Sequence, residues 1–192
     1  MAKKKTNNKE QKKDNWLWQA FLVTFILALI FGSVSNTIVI KLNIIFATIL
    51  LIIIILIGIL FDLVGMSVAS ANESPFHAKA AKKHKGAKES IQLVRNASKV
   101  SNICNDVVGD ICGIISGSIG ALLSVNISNI TNIDIIITGL IISAIIASIT
   151  VGGKAIGKKY ASKKWIDIIY CAGSVLHYVH PVKQKKKSKS KY

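Results

Sequence analysis

Long apolar runs separated by short polar segments dominate this chain, and their length predicts helices. Residues 44–61 hold eighteen positions without a single charged side chain. A helix rises ~1.5 Å per residue, so about 20 such residues cross the hydrocarbon of a bilayer. Four runs have this character: residues 16–33, opened by Trp16 and Trp18, then 42–64, 101–125 and 133–151. Between the second and third, Ser74-Pro75 reads as a helix start, with Ser at the N-cap and Pro at the first helical position. The Ala- and Lys-rich helix that follows is weakened at Gly86. Ile91, Leu93, Val94 and Ala97 give it a partly apolar face suited to a membrane surface. After Gly152-Gly153 a basic, amphipathic stretch runs over 154–180. The expected fold is an all-α membrane protein. It has four transmembrane helices, a cytoplasmic juxtamembrane helix between spans 2 and 3, and an amphipathic helix after span 4. Residues 16–180 form the transmembrane domain, with disordered Lys-rich ends at 1–15 and 181–192.

Charge orients this arrangement. The formal net charge is +16, and 51% of the residues are hydrophobic. Six lysines precede Trp16, seven basic residues lie from Lys79 to Lys99, and eleven from Lys154 to Lys191. Only Lys41 lies between the first two apolar runs, and no basic residue lies between the last two. Basic loops stay in the cytoplasm, so the chain is expected in the cell membrane, multi-pass, with both termini cytoplasmic. The lysines are then topology signals and contacts for anionic lipid. Nucleic-acid binding is not expected, because the runs are short, terminal and without interleaved aromatics. Cys104, Cys112 and Cys171 form no Cys-x-x-Cys pair and read as reduced thiols.

Between Lys99 and Lys154 there is no lysine or arginine, yet Asp106, Asp110 and Asp134 lie there. On a continuous α-helix, Asn102, Asp106, Asp110, Gly113 and Gly117 share one face. An aspartate at mid-span costs ~2.5–3.5 kcal/mol on insertion scales, and two acids one turn apart repel. A hard cation with oxygen ligands relieves both costs, and Mg²⁺ suits such a shell. Asp62, Ser67, Ser70, Asn72, Asn102, Asp106 and Asp110 are the chemically suitable set. The bland alternative places the acids at the cytoplasmic edge, paired with nearby lysines, and makes the glycines packing residues. Asp134 fits a helix N-terminus. His77 and His84 read as solvated, and His177 and His180 lack a third metal ligand nearby. No nucleophile–base set or phosphate-binding glycine loop is present, so neither an enzyme nor an organic cofactor is expected.

Over residues 44–180 the order of these features resembles the transmembrane domain of the CNNM/CorB (CorC) family of magnesium transporters. Phe61-Asp62 closes a span. Ser70-Ala71-Asn72 and a helix bearing Gly86-Ala87-Lys88 follow, similar to the family's serine-rich turn and its Arg-Ala-Lys-like string. Asn96-Ala97-Ser98-Lys99, leading to Val108-Gly109-Asp110, is similar to the family's Asn-Pro helix break and Ile-Gly-Asn-Asn. Val151-Gly152-Gly153-Lys154-Ala155-Ile156-Gly157-Lys158 resembles its Gly-Glu-Ile-Ile-Pro-Lys element. The departures are Asp62-Leu63-Val64-Gly65 in place of Ser-x-Ser-Glu, Lys154 and Gly157 in place of Glu and Pro, the extra first span, and the expected lack of CBS domains. The resemblance implies a homodimer that moves Mg²⁺, with Asp62, Ser70, Asn72 and Asp110 carried over as ligands.

The expected function is therefore binding and transport of a divalent cation, Mg²⁺ with Co²⁺ as a second candidate. The alternative is a non-transporting structural or accessory membrane subunit.

Overall fold

The computed structural model describes residues 22, 25–33, 37 and 43–179. The expected Lys-rich ends, Trp16, Trp18 and His180 lie outside the described residues; residues 25–33 of the expected first span are helical. Seven helical elements follow: α1 (Ile44–Ala69), α2 (Ser74–Ala81), α3 (Ala87–Arg95), α4 (Ala97–Asn102), a π-helical turn (Ile103–Val108), α5 (Gly109–Thr131) and α6 (Ile135–Val179). No strand occurs among the described residues. Three helices there are long and apolar enough to cross a membrane: Ile44–Ala69, Ala97–Thr131 and Ile135–Tyr178.

Several boundaries differ from the sequence expectation, each for a local reason. The juxtamembrane segment is two helices rather than one, because Gly86 takes a left-handed conformation (φ 81°) that ends helical propagation. Helix α2 starts one residue earlier than expected, with Glu73 at the N-cap and Pro75 in the first turn. The expected loop at 126–132 is mostly helix. Thr131 Oγ1 donates to Ile127 O at 2.8 Å, and the helix stops only where Asn132 turns left-handed. Asp134 then caps α6 as anticipated, its Oδ1 accepting from Ile136 N at 2.7 Å. Gly152-Gly153 does not interrupt α6, so the helix of the last apolar run continues into the expected amphipathic stretch as far as a kink at Lys164. The non-helical residue within α6 is Lys164 (φ −119°, ψ 27°).

The chain divides into two compact units, with boundaries falling inside the long helices. The first comprises Met1–Gly58 and Val107–Val151. Here α1 buries Ala47, Leu51 and Ile55, four residues apart and so on one face. Helix α5 buries Cys112, Ser116, Ile119, Gly120, Leu123 and Ser124. Small residues bring the helices close: a Cβ on Gly58 would lie 3.2 Å from Cys112 Cβ, and one on Gly120 would lie 2.6 Å from Ile146 Cδ1. The other faces carry exposed Ile, Leu and Phe, including Phe46, Ile53, Ile136, Leu140 and Ile149. Most hydroxyls in this unit bond back along their own helices, as Ser124 Oγ does to Gly120 O (2.8 Å) and Thr150 Oγ1 to Ile146 O (2.8 Å). That satisfies the hydroxyl protons without water.

The second unit comprises Ile59–Asp106 and Gly152–Tyr192. It has a core of Val68, Phe76, Ile91, Val94 and Ile169, joined by Trp165, Tyr170 and others. Helix α3 supplies Ile91 and Val94 to it and also buries Ala87 and Ser90, the i, i+3, i+4, i+7 pattern of a half-buried helix. Phe76 meets Trp165 edge-on with ring centroids 6.0 Å apart, and Lys79 Nζ sits 4.0 Å above the Tyr170 ring. Glycines admit neighbours here too. Gly153 leaves room for Ile59, and Gly157 for Leu63. This packing offsets the ~1 kcal/mol that each glycine costs a helix relative to alanine.

Candidate cation-binding region

The candidate span Ala97–Thr131 changes its helical repeat at Ile103–Val108, where a π-turn interrupts α-helix. A π-turn uses i→i+5 hydrogen bonds, inserts an extra residue into the repeat, and recurs at functional sites. It aims Asn105 at Gly65 on α1. A side chain at position 65 would collide with the Asn105 Oδ1 and Cγ atoms, so glycine is what admits the amide. Asn105 Nδ2 donates to Ser101 Oγ at 3.3 Å. Its Oδ1 is buried and has no hydrogen-bond partner among the described residues. An unpaired buried carbonyl oxygen costs about 1–3 kcal/mol. It is a place where a donor or a cation would be favoured.

The residues expected as ligands fall into different surroundings. Asp62 is largely buried (14% exposed), with Oδ1 3.5 Å from Lys154 Nζ. Ser67 is fully buried and donates to Leu63 O at 2.8 Å. Ser70 is exposed at the end of α1, and exposed Asn72 accepts from Ser74 N at 3.1 Å. Asn102, Asp106 and Asp110 are exposed. The first six belong to the second unit and Asp110 to the first. Among the described residues, no three or more His, Cys, Asp or Glu side chains gather as a metal site would require.

The face expected from the sequence is uniform in one respect. Asn102, Asp106, Asp110, Gly113 and Gly117 are all exposed, and a Cβ at Gly113 or Gly117 would meet nothing within 4 Å. Among the described residues those two glycines therefore have no helix packed against them.

Three polar arrangements were not singled out by the sequence. Asn105 is the first; its only local signal is an amide beside Asp106 inside an apolar run. The second joins Glu89, 4% exposed, to His177, whose Nδ1 lies 2.8 Å from Glu89 Oε1. These residues are 88 positions apart, so no spacing rule could pair them. The third is Glu73, which accepts from Arg95 Nε at 3.0 Å and lies 3.1 Å from His77 Nε2. The Arg95 hydrogen bond, with a smaller contribution from His77, holds the Glu73 carboxyl below its ordinary value. His77, expected to be solvated, is half-exposed but touches that carboxylate.

Comparison with protein-family profiles, with curated proteins and with solved structures finds no match to this chain.

Proposed function

We propose that this chain is a multi-pass membrane protein that binds a hard divalent cation of the Mg²⁺ or Co²⁺ class beside its π-turn and passes it across the bilayer. The observation that carries the reading is the buried, unpartnered Oδ1 of Asn105. A cation takes such an oxygen as a ligand and removes its desolvation cost. Asp106, the next residue, and Asp110 supply negative charge along the same helix. Asp62, Ser67, Ser70, Asn72 and Asn102 are the further oxygens the reading assigns to the ion's path. The exposed Asp106–Gly117 face is where a second copy would sit, since a span with carboxylates on an uncovered face is costly in lipid. In this reading the chain is a diverged relative of the CNNM/CorB (CorC) transporters, with both termini cytoplasmic.

The test uses the full chain in detergent. Mg²⁺ should raise the wild-type melting midpoint, and chelation should reverse the rise. Asn105→Ala and Asp110→Asn should each remove most of it, and liposomes carrying Asp110→Asn should lose Mg²⁺ flux. A wild-type midpoint indifferent to Mg²⁺ would rule the reading out.

A second reading, a non-transporting structural or accessory membrane subunit, is favoured by the Lys154–Asp62 pair. The ammonium group there already supplies the positive charge that Asp62 needs. On that reading Asp106→Asn and Asp110→Asn weaken assembly with partners and leave ion flux at background in every variant.

A further inference from the structure

The connection between α2 and α3 is short, basic and fixed in shape. Residues 82–86 read Lys-Lys-His-Lys-Gly, and Lys88 is the second residue of α3. Lys83 (φ 58°) and Gly86 (φ 81°) are both left-handed, a conformation uncommon for a residue with a side chain. The turn is tied down from two sides. Gly86 O accepts from Ser90 N and from Ser90 Oγ, each at 2.9 Å. Ser90 Oγ also lies 3.2 Å from Ile169 O on α6. Against Gly86, the α6 backbone comes close enough that a Cβ would lie 2.7 Å from Ser174 N and Cα.

This turn walls a cavity of about 440 Å³, within the size range of small-molecule sites. Lys83, His84, Lys85 and Lys88 line it, with Glu89 and His177. The ion pairs among the described residues join Glu73 to His77 and Arg95, Asp62 to Lys154, and Glu89 to His177. None uses a lysine of the cavity. Three lysines on one wall concentrate positive charge beside this space. The first turn of α3 adds the positive end of its dipole.

We propose that this cavity binds a phosphate group, carried either by an anionic lipid headgroup or by a soluble phosphate. Phosphate brings close to two negative charges and several acceptor oxygens, which match lysines as point-charge donors. Glu89, 4% exposed, turns its Oε1 to His177 Nδ1 at 2.8 Å, and the three lysines outnumber this one carboxylate on the wall. The site is independent of the cation reading and shares none of its residues.

The experiment uses the full chain in neutral detergent and two probes, dihexanoyl-phosphatidic acid and inorganic phosphate, each titrated against the melting midpoint. Two triple variants are compared with wild type. One is Lys83→Gln/Lys85→Gln/Lys88→Gln. The other, Lys158→Gln/Lys159→Gln/Lys163→Gln, removes the same charge elsewhere in the same unit. The cavity variant should need about tenfold more probe for the same shift, the loss of a single charge-assisted hydrogen bond or more; the control should respond like wild type. Shifts with both probes identify the phosphate group itself as the ligand. A shift with the lipid alone identifies a headgroup site. No shift with either probe, or equal loss in the two variants, overturns the proposal.

Discussion

At Gly86 a methyl group would meet the Ser174 backbone at 2.7 Å, on a residue that is already left-handed. Neither partner can move without shifting a helix. Gly86→Ala should therefore lower stability by about 1–3 kcal/mol, read from thermal or denaturant melting. Gly113 is the contrasting case, with nothing within 4 Å of its would-be Cβ. Gly113→Ala should leave the monomer within about 0.5 kcal/mol of wild type. Two glycines that look alike in sequence thus have opposite sensitivities. Asn105 makes the same point for polar groups: its amide is unremarkable in sequence, and only the approach of Gly65 isolates its oxygen.

Among elements, the polar ties around α3 govern how the second unit closes. Glu73 stands at the N-cap of α2 and is held by Arg95 at the end of α3. Its carboxyl is lowered below 4.5, so the pair contributes stability above that ordinary value and loses it as pH falls through the lowered one. Arg95→Gln should move the Glu73 titration upward toward 4.5, followed by carboxyl carbon NMR. An unmoved titration would show that Arg95 is not the cause. His177 ties the far part of α6 to α3 through buried Glu89. His177→Ala withdraws one hydrogen-bonding partner from that carboxylate and should cost about 1–2 kcal/mol in melting experiments. Periodicity marked Ile91, Leu93, Val94 and Ala97 as an apolar face for a membrane surface; the structure instead buries Ile91 and Val94 in the core of the second unit, beside Phe76 and Ile169. Periodicity could not reveal the π-turn at Ile103–Val108, because an i→i+4 pattern is written assuming a uniform α-helix.

On the scale of the whole molecule, apolar surface and charge separate among the described residues. The first unit exposes Ile, Leu and Phe on its outward faces, as expected of surface that meets lipid rather than water. The second carries the lysines from Lys79 to Lys99 and from Lys154 to Lys164. By the positive-inside rule these should face the cytoplasm. In a Cys171→Ser background, Lys82→Cys should label only from the cytoplasmic side and Asn129→Cys only from the opposite side. Labelling of both from one side would refute this orientation.

Composition and run length alone established an all-helical chain with spans long enough for a bilayer, because helix rise and hydrocarbon thickness leave few alternatives. Local chemistry alone also placed the Asp134 cap, since a cap depends on neighbours two residues away. Tertiary structure decided that α6 continues through Gly152-Gly153, because Ile59 and Leu63 fill the space beside Gly153 and Gly157. It also decided the Glu89–His177 and Asp62–Lys154 pairs and the isolation of Asn105. Each of these depends on which helix faces which, and hydrophobic surface, being non-directional, leaves that choice to packing.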